Sequence, residues 1–129
     1  MTDSSPVIAV VDDDASVCRA LARLVRSLGM TASTFASGDD FLSALVGMPA
    51  FSPDCVILDV QMPGSNGIAV QARLRERIPA PPVVFITAHD AAEVREQALA
   101  AGAIAYLRKP ISDDLLVRTL DQALRRETS

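Results

Sequence analysis

The sequence predicts a single α/β domain, a doubly wound parallel sheet of five strands flanked by five helices. Three observations lead there. Short apolar, β-rich runs alternate along the chain with segments of helical periodicity. Three of those runs stop at Asp12, Asp59 and Thr87. Half of the residues are apolar but only 4% are aromatic, so the core must be built from Val, Leu, Ile and Ala, which suits strands buried on both faces beneath helices. The length agrees: 129 residues give one domain, 1–129 with its core over about 7–124, and leave no room for a second.

Val7 to Val11 (VIAVV) reads as a buried strand emptying into Asp12, Asp13 and Asp14. Val17, Cys18, Leu21, Leu24, Val25 and Leu28 then recur at helical spacing, with Arg19, Arg23 and Arg26 on the other side. Asp14 caps this helix and Gly29 stops it as a C′ residue. Thr31 to Phe35 is a weaker, partly polar strand suited to a sheet edge. Ser37 with Asp40 three residues on resembles a capping box, and Phe41, Leu42, Leu45 and Val46 follow it until Gly47 and Pro49. Cys55 to Leu58 is a third strand between Asp54 and Asp59.

Met62 to Gly67 is a turn, with Gly64 and Gly67 as turn formers, and Ile68, Val70, Ala72 and Leu74 belong to the helix after it. Pro79, Pro81 and Pro82 break that helix before Val83 to Ile86, a fourth buried strand ending at Thr87. Ala91 to Ala101 is an Ala-rich helix stopped by Gly102. Ala103 to Leu107 is a short fifth strand, ended by Arg108, Lys109 and Pro110. Ser112 caps a last amphipathic helix with Leu115, Leu116, Leu120 and Leu124 on one side, and the terminal RRETS is expected to fray.

A formal net charge of −4 argues against direct binding of nucleic acid or of anionic membranes, both of which need a basic face. Cys18 and Cys55 sit in apolar runs without Cys or His at ligand spacing, so they are expected as reduced core residues. The N-terminal MTDSSP has an acid and no apolar stretch of an export signal, and no run approaches the roughly 18 residues of a membrane helix. The expected location is cytoplasmic.

Right-handed crossovers bring the C-terminal ends of all the strands to one rim, where such sheets bind ligands. Asp12, Asp13, Asp59, Thr87 and Lys109 therefore converge. Two carboxylates about 4 Å apart repel by roughly 4 kcal/mol at an effective dielectric of about 20. Three need either a proton or a cation among them, and a hard divalent ion with oxygen ligands, Mg²⁺ above all, meets that need while keeping several waters.

From Val7 to about Leu124 the chain resembles the receiver domains of two-component response regulators. The resemblance is carried by Val10-Val11-Asp12-Asp13-Asp14, by Leu58-Asp59 with Met62-Pro63 and Gly67, by Thr87-Ala88 and by Lys109-Pro110, in that order and spacing. The runs TFASGDDFL and GAIAYLRKP are similar to the FixJ-type branch. The resemblance implies a flavodoxin-like sheet of order 2-1-3-4-5 and a phosphorylation-activated switch, not an enzyme with turnover. Asp59 would take a phosphoryl group from a histidine kinase or a phosphotransfer protein of a phosphorelay. Mg²⁺, with Mn²⁺ as the alternative, would be held by Asp12, Asp13, Asp59 and the backbone carbonyl of Gln61.

By the same resemblance, Lys109 would pair with Asp59 before transfer and with phosphoryl oxygens afterwards, and Thr87 would donate its hydroxyl to the phosphoryl group. Tyr106 would answer by turning inward, and a cis bond would precede Pro110. Gln61 and His89 flank the route of an attacking water and would set the lifetime of the phosphorylated state. Output would pass through a further C-terminal helix-turn-helix domain or through protein contact, including phosphorylation-dependent homodimerisation around Tyr106.

Two other classes share parts of this site. A haloacid-dehalogenase-like phosphatase uses an Asp nucleophile with Thr, Lys and Mg²⁺, but it also has a second Asp two residues after the nucleophile, where this chain has Gln61. A flavodoxin-like cofactor binder would have to bring a phosphate to an acidic first loop that repels it.

Overall fold

The computed structural model describes residues 5–128; the first four residues of the MTDSSP segment, and Ser129, lie outside the described residues. The elements are β1 Val7–Val11, α1 Ala15–Ser27, β2 Thr31–Phe35, α2 Gly38–Leu45, β3 Cys55–Asp59, α3 Gly67–Leu74, β4 Val83–Thr87, α4 Ala92–Ala100, β5 Ala105–Arg108 and α5 Asp113–Thr128. All neighbouring strands pair in parallel, in the order β2-β1-β3-β4-β5. That is the order the resemblance implied. Among the described residues no helix is long and apolar enough to cross a membrane.

Alternation along the strands splits the core in two. Ala9, Val11, Val56, Leu58, Val83 and Phe85 face a layer formed by α2, α3 and α4, which contributes Phe41, Leu45, Val70, Leu74 and Ala98. Ile8, Val10, Ile57, Val84 and Ile86 face α1 and α5, which contribute Leu21, Val25, Leu116 and Leu120. Each aliphatic side chain buried this fully stabilises the fold by roughly 1.5–3 kcal/mol. Cys18 and Cys55 are buried, and the two do not form a disulfide. Two helices end alike: Gly29 and Gly102 take positive φ, and each lies within a paired closing bond, Met30 N to Val25 O with Gly29 N to Arg26 O, and Ala103 N to Ala98 O with Gly102 N to Leu99 O.

Three expectations are corrected. β5 begins at Ala105 instead of Ala103, because Gly102 must first close α4. Leu115 is 38% exposed, since the buried stripe of α5 runs through Leu116, Thr119, Leu120 and Ala123 and Leu115 stands about 100° away from it. α5 runs from Asp113 to Thr128, with Arg125 paired to Asp121 at 2.9 Å one turn back. Gly67 is the first residue of α3 and not a turn former: a Cβ there would strike the backbone carbonyl of Asp59 and come within 3.0 Å of the Phe85 ring.

Close approach, and not backbone conformation, thus demands glycine at 67. Gly67→Ala is expected to lower the stability measured by urea unfolding by about 1–3 kcal/mol. Gly47→Ala, whose new methyl would meet nothing closer than 3.5 Å, should stay within about 0.5 kcal/mol of the parent.

Candidate functional site

Sheet register builds the site. Val11 stands opposite Leu58, so the next residues, Asp12 and Asp59, leave adjacent strands side by side. Asp59 pairs with Ile86 and Thr87 with Arg108, which sets Thr87 and Lys109 on the same rim. The ladder continues past the strand ends through Asp12 N to Phe35 O, Val60 N to Ile86 O and Lys109 N to Thr87 O. These bonds fix the backbone from which the polar side chains project. The peptide bond between Lys109 and Pro110 is cis, as the resemblance implied.

Asp12 and Asp59 are 1% and 4% exposed, whereas Asp13 lies at the surface. One carboxylate oxygen from each of the three lies within 4.8 Å of the other two. Lys109 Nζ is 2.8 Å from Asp12 Oδ2 and 3.5 Å from Asp59 Oδ1. The expected pairing of Lys109 with Asp59 is therefore the longer of two, because one ammonium serves two buried carboxylates and the more deeply buried one takes the shorter contact. Asp12 is also oriented from its own loop: the Asp14 amide donates to its Oδ1 at 2.9 Å, and the Cys18 thiol donates to its backbone carbonyl at 3.2 Å. Asp14 turns away to cap α1, accepting from the Ser16 and Val17 amides, and its bonds to Ser16 hold its carboxyl below the ordinary range.

The electrostatics follow from burial. Desolvation, then the charge of Asp12, push the Asp59 carboxyl up to about 6 against the opposing pull of Lys109. Burial would lower Lys109, yet its bond to Asp12 and the charges of Asp59 and Asp12 outweigh that and hold the ammonium above its usual value. With Asp59 ionised the cluster holds three negative charges against one positive. Carboxylate oxygens this close together on one rim can be gathered by a single small oxygen-binding ion, which would offset their mutual repulsion. The residues present fit a hard divalent cation by both charge and spacing.

Thr87 is buried, and its hydroxyl is engaged with its own loop, donating to the His89 carbonyl at 2.8 Å and accepting from the His89 amide at 3.1 Å. His89 and Gln61 are both exposed. Tyr106 is only 7% exposed, its ring centroid 6.1 Å from that of Phe85, and its hydroxyl is buried with no hydrogen-bond partner. Burial pushes the phenol up; the nearby Thr87 hydroxyl opposes this without completing a hydrogen bond. The inward position expected of Tyr106 only after phosphorylation is thus already taken, because the ring packs on Phe85. Sequence reasoning passed over Gln71, whose buried side-chain amide donates to the Ala98 carbonyl at 3.0 Å. Its signal is a polar residue on the apolar face of α3, one position after Val70.

Residues 8–121 match the family described as response regulator receiver domain. The chain is 39% identical over 125 residues to the response regulator protein TmoT of Ectopseudomonas mendocina, covering 97% of this chain and 56% of TmoT. It is 35% identical over 118 residues to the DNA-binding transcriptional regulator NtrC of Salmonella typhimurium, covering 92% of this chain and 24% of NtrC. The crystal structure of a response regulator receiver protein from Burkholderia phymatum aligns with a TM-score of 0.84 at 62% identity, covering 94% of this chain and 96% of that one. The chain therefore spans about half the length of TmoT and about a quarter of that of NtrC.

The raised Asp59 carboxyl makes stability depend on pH with a definite sign. A folded value of about 6 against the ordinary 3.8 means that the folded state binds the extra proton between those limits. The associated stability is full below about pH 4 and is lost as pH rises through 6. Asp59→Asn should raise the stability of the metal-free protein at pH 7 by roughly 1–2 kcal/mol. In urea unfolding the difference between variant and parent should shrink from pH 7 to pH 4, and saturating Mg²⁺ should reduce it at pH 7.

Proposed function

The chain belongs to the response regulator receiver domain family of two-component systems, and from that premise we propose that Asp59 is its phosphoacceptor. Receiver domains are signalling domains that work as phosphorylation-activated switches. The observation that carries the assignment is the meeting of Asp12, Asp13 and Asp59 within 4.8 Å, with Lys109 against two of them. Asp59 is the member of this group on the central strand β3, held between Asp12 and Lys109, and at pH 7 its carboxyl is still largely ionised and so nucleophilic.

An Asp59 oxygen attacks the phosphorus of a phosphohistidine on a kinase or phosphotransfer protein. The P–N bond breaks, a P–O bond forms, and the imidazole leaves with the electron pair and takes a proton from solvent. Mg²⁺, or Mn²⁺ in its place, would be held by Asp12, Asp13, Asp59 and the Gln61 carbonyl and would supply the positive charge that lets an anionic donor approach an acidic site. Lys109 exchanges its contact with Asp59 for one with a phosphoryl oxygen, and acts as a point charge. Thr87 gives up the His89 carbonyl to donate its hydroxyl to another phosphoryl oxygen, which draws the loop after β4 inward.

The consequence reaches α4, β5 and α5 through the buried Tyr106, and we place a phosphorylation-dependent homodimer contact on that face. The domain performs its own phosphotransfer and dephosphorylation without turning over another substrate. A DNA-binding output in the manner of the FixJ-type branch, and a cytoplasmic setting, complete the reading; the regulators related to it are longer than this chain.

Acetyl phosphate with Mg²⁺ should add one phosphoryl group per chain, read by intact mass, and Asp59→Asn should abolish it. Lys109→Ala should slow labelling on the order of a hundredfold. Continuous phosphate release beyond one equivalent at a steady rate would mark a hydrolase instead. Once labelled, the protein should lose its phosphoryl group at a rate changed by Gln61→Ala or His89→Ala; identical lifetimes in both variants and the parent would refute the role given to those two residues.

A further inference from the structure

Four of the five helices begin with a side-chain cap: Asp14 for α1, Ser37 for α2, Asn66 for α3 and Ser112 for α5. α4 begins at Ala91 with none. It is also the helix with least purchase on the core, since Ala98 is its one buried residue and Val94 is only partly covered. The ion pair between Arg95 and Asp90 in its first turn is solvent-exposed and 3.8 Å long. Among the described residues, no side-chain cap and no fully buried side chain hold the N-terminal half.

The other end differs. The Ala98 carbonyl accepts from the Ala103 amide at 3.1 Å and from Gln71 Nε2 at 3.0 Å. Gln71 is 97% buried by its 3% exposure, so water does not compete for this bond and a lost partner leaves a buried amide unsatisfied. Beside it an open groove of about 610 Å³ runs between Gln71, Leu74 and Arg75, the segment from Pro79 to Val83, and the turn at Ala101 and Gly102. The turn after α4 therefore borders open space, while Ala98 itself is buried and held by the Gln71 bond.

We propose that Gln71 pins the C-terminal end of α4, so that this helix swings from its uncapped N-terminal end about Ala98 when Thr87 leaves the His89 carbonyl. The trigger rests on the phosphoacceptor reading of Asp59; the pin does not. The loop from Thr87 to Ala91 leads directly into the loose end, and its inner hold is the pair of bonds between Thr87 and His89. A pull there moves the first turns of α4 while the junction with β5 stays in place. Gln71 is a positioning residue, remote from the reacting atoms.

Amide hydrogen exchange resolves both parts. In the resting protein, Ala101, Gly102 and Ala103 should exchange at least about threefold more slowly than Arg95 to Gln97, and Gln71→Leu should speed the first group by roughly three- to tenfold while leaving the exchange of β1, β3 and β4 and the rate of Asp59 labelling unchanged. With beryllofluoride and Mg²⁺ as phosphoryl mimic, the parent should change at Glu93 to Gln97 and not at Ala101 to Ala103; in Gln71→Leu the change should spread along all of α4. A flat profile in the resting parent, which needs no variant, or a variant with the parent's profile, overturns the pin. A uniform response of α4 to the mimic in the parent overturns the swing. Absence of any response, even in the Thr87 loop, counts against both the swing and the phosphoacceptor reading, whereas the resting profiles still decide the pin.

Discussion

The competition of two buried carboxylates for one ammonium governs this molecule. Asp12 and Asp59 are forced together by sheet register, one residue past the Val11–Leu58 pair, and Lys109 reaches both from the end of β5. Left alone, the arrangement is unfavourable, as the upward displacement of Asp59 shows. It persists because each strand behind it is buried on two faces and cannot slide without exposing a continuous row of Val, Leu and Ile. The hydrophobic sheet thus sustains an electrostatic strain at its rim, and that strain is what a divalent cation would relieve.

Most of the fold was legible because its signals are local. Apolar runs of strand length, Gly29 and Gly102 as stops, and Asp14, Ser37 and Ser112 as caps are all readable within a few residues. Asp12, Asp13, Asp59, Thr87 and Lys109 were legible as a group because each ends a strand, or follows one, and parallel sheets align those ends. The strand order was another matter: it came with the resemblance, since nothing in the chain says which strands neighbour which.

What escaped depends on contacts across the fold. Gly67 looks like a turn residue until the Asp59 carbonyl is seen beside it. Leu115 looks like a core residue until the stripe is phased on Leu116, Thr119, Leu120 and Ala123. The closer partner of Lys109 turned on which carboxylate is more deeply buried, and the position of Tyr106 on the room beside Phe85. Gln71 was passed over because a glutamine in a helix is ordinarily solvated; its partner is a carbonyl 27 residues away.

The two sides of the sheet are therefore not equivalent, and the difference suits a switch. A rigid site alone would register phosphorylation without transmitting it, and a loose one would not hold three carboxylates in register. Here β1, β3 and β4 carry fully buried core residues directly behind Asp12, Asp59 and Thr87, so the acids cannot relax by moving apart. On the far side of Thr87 the chain passes at once into exposed Ala88, His89 and Asp90 and then into an uncapped helix. Thr87, whose backbone belongs to the stiff strand while its hydroxyl is tied to the exposed loop, spans the boundary between the two.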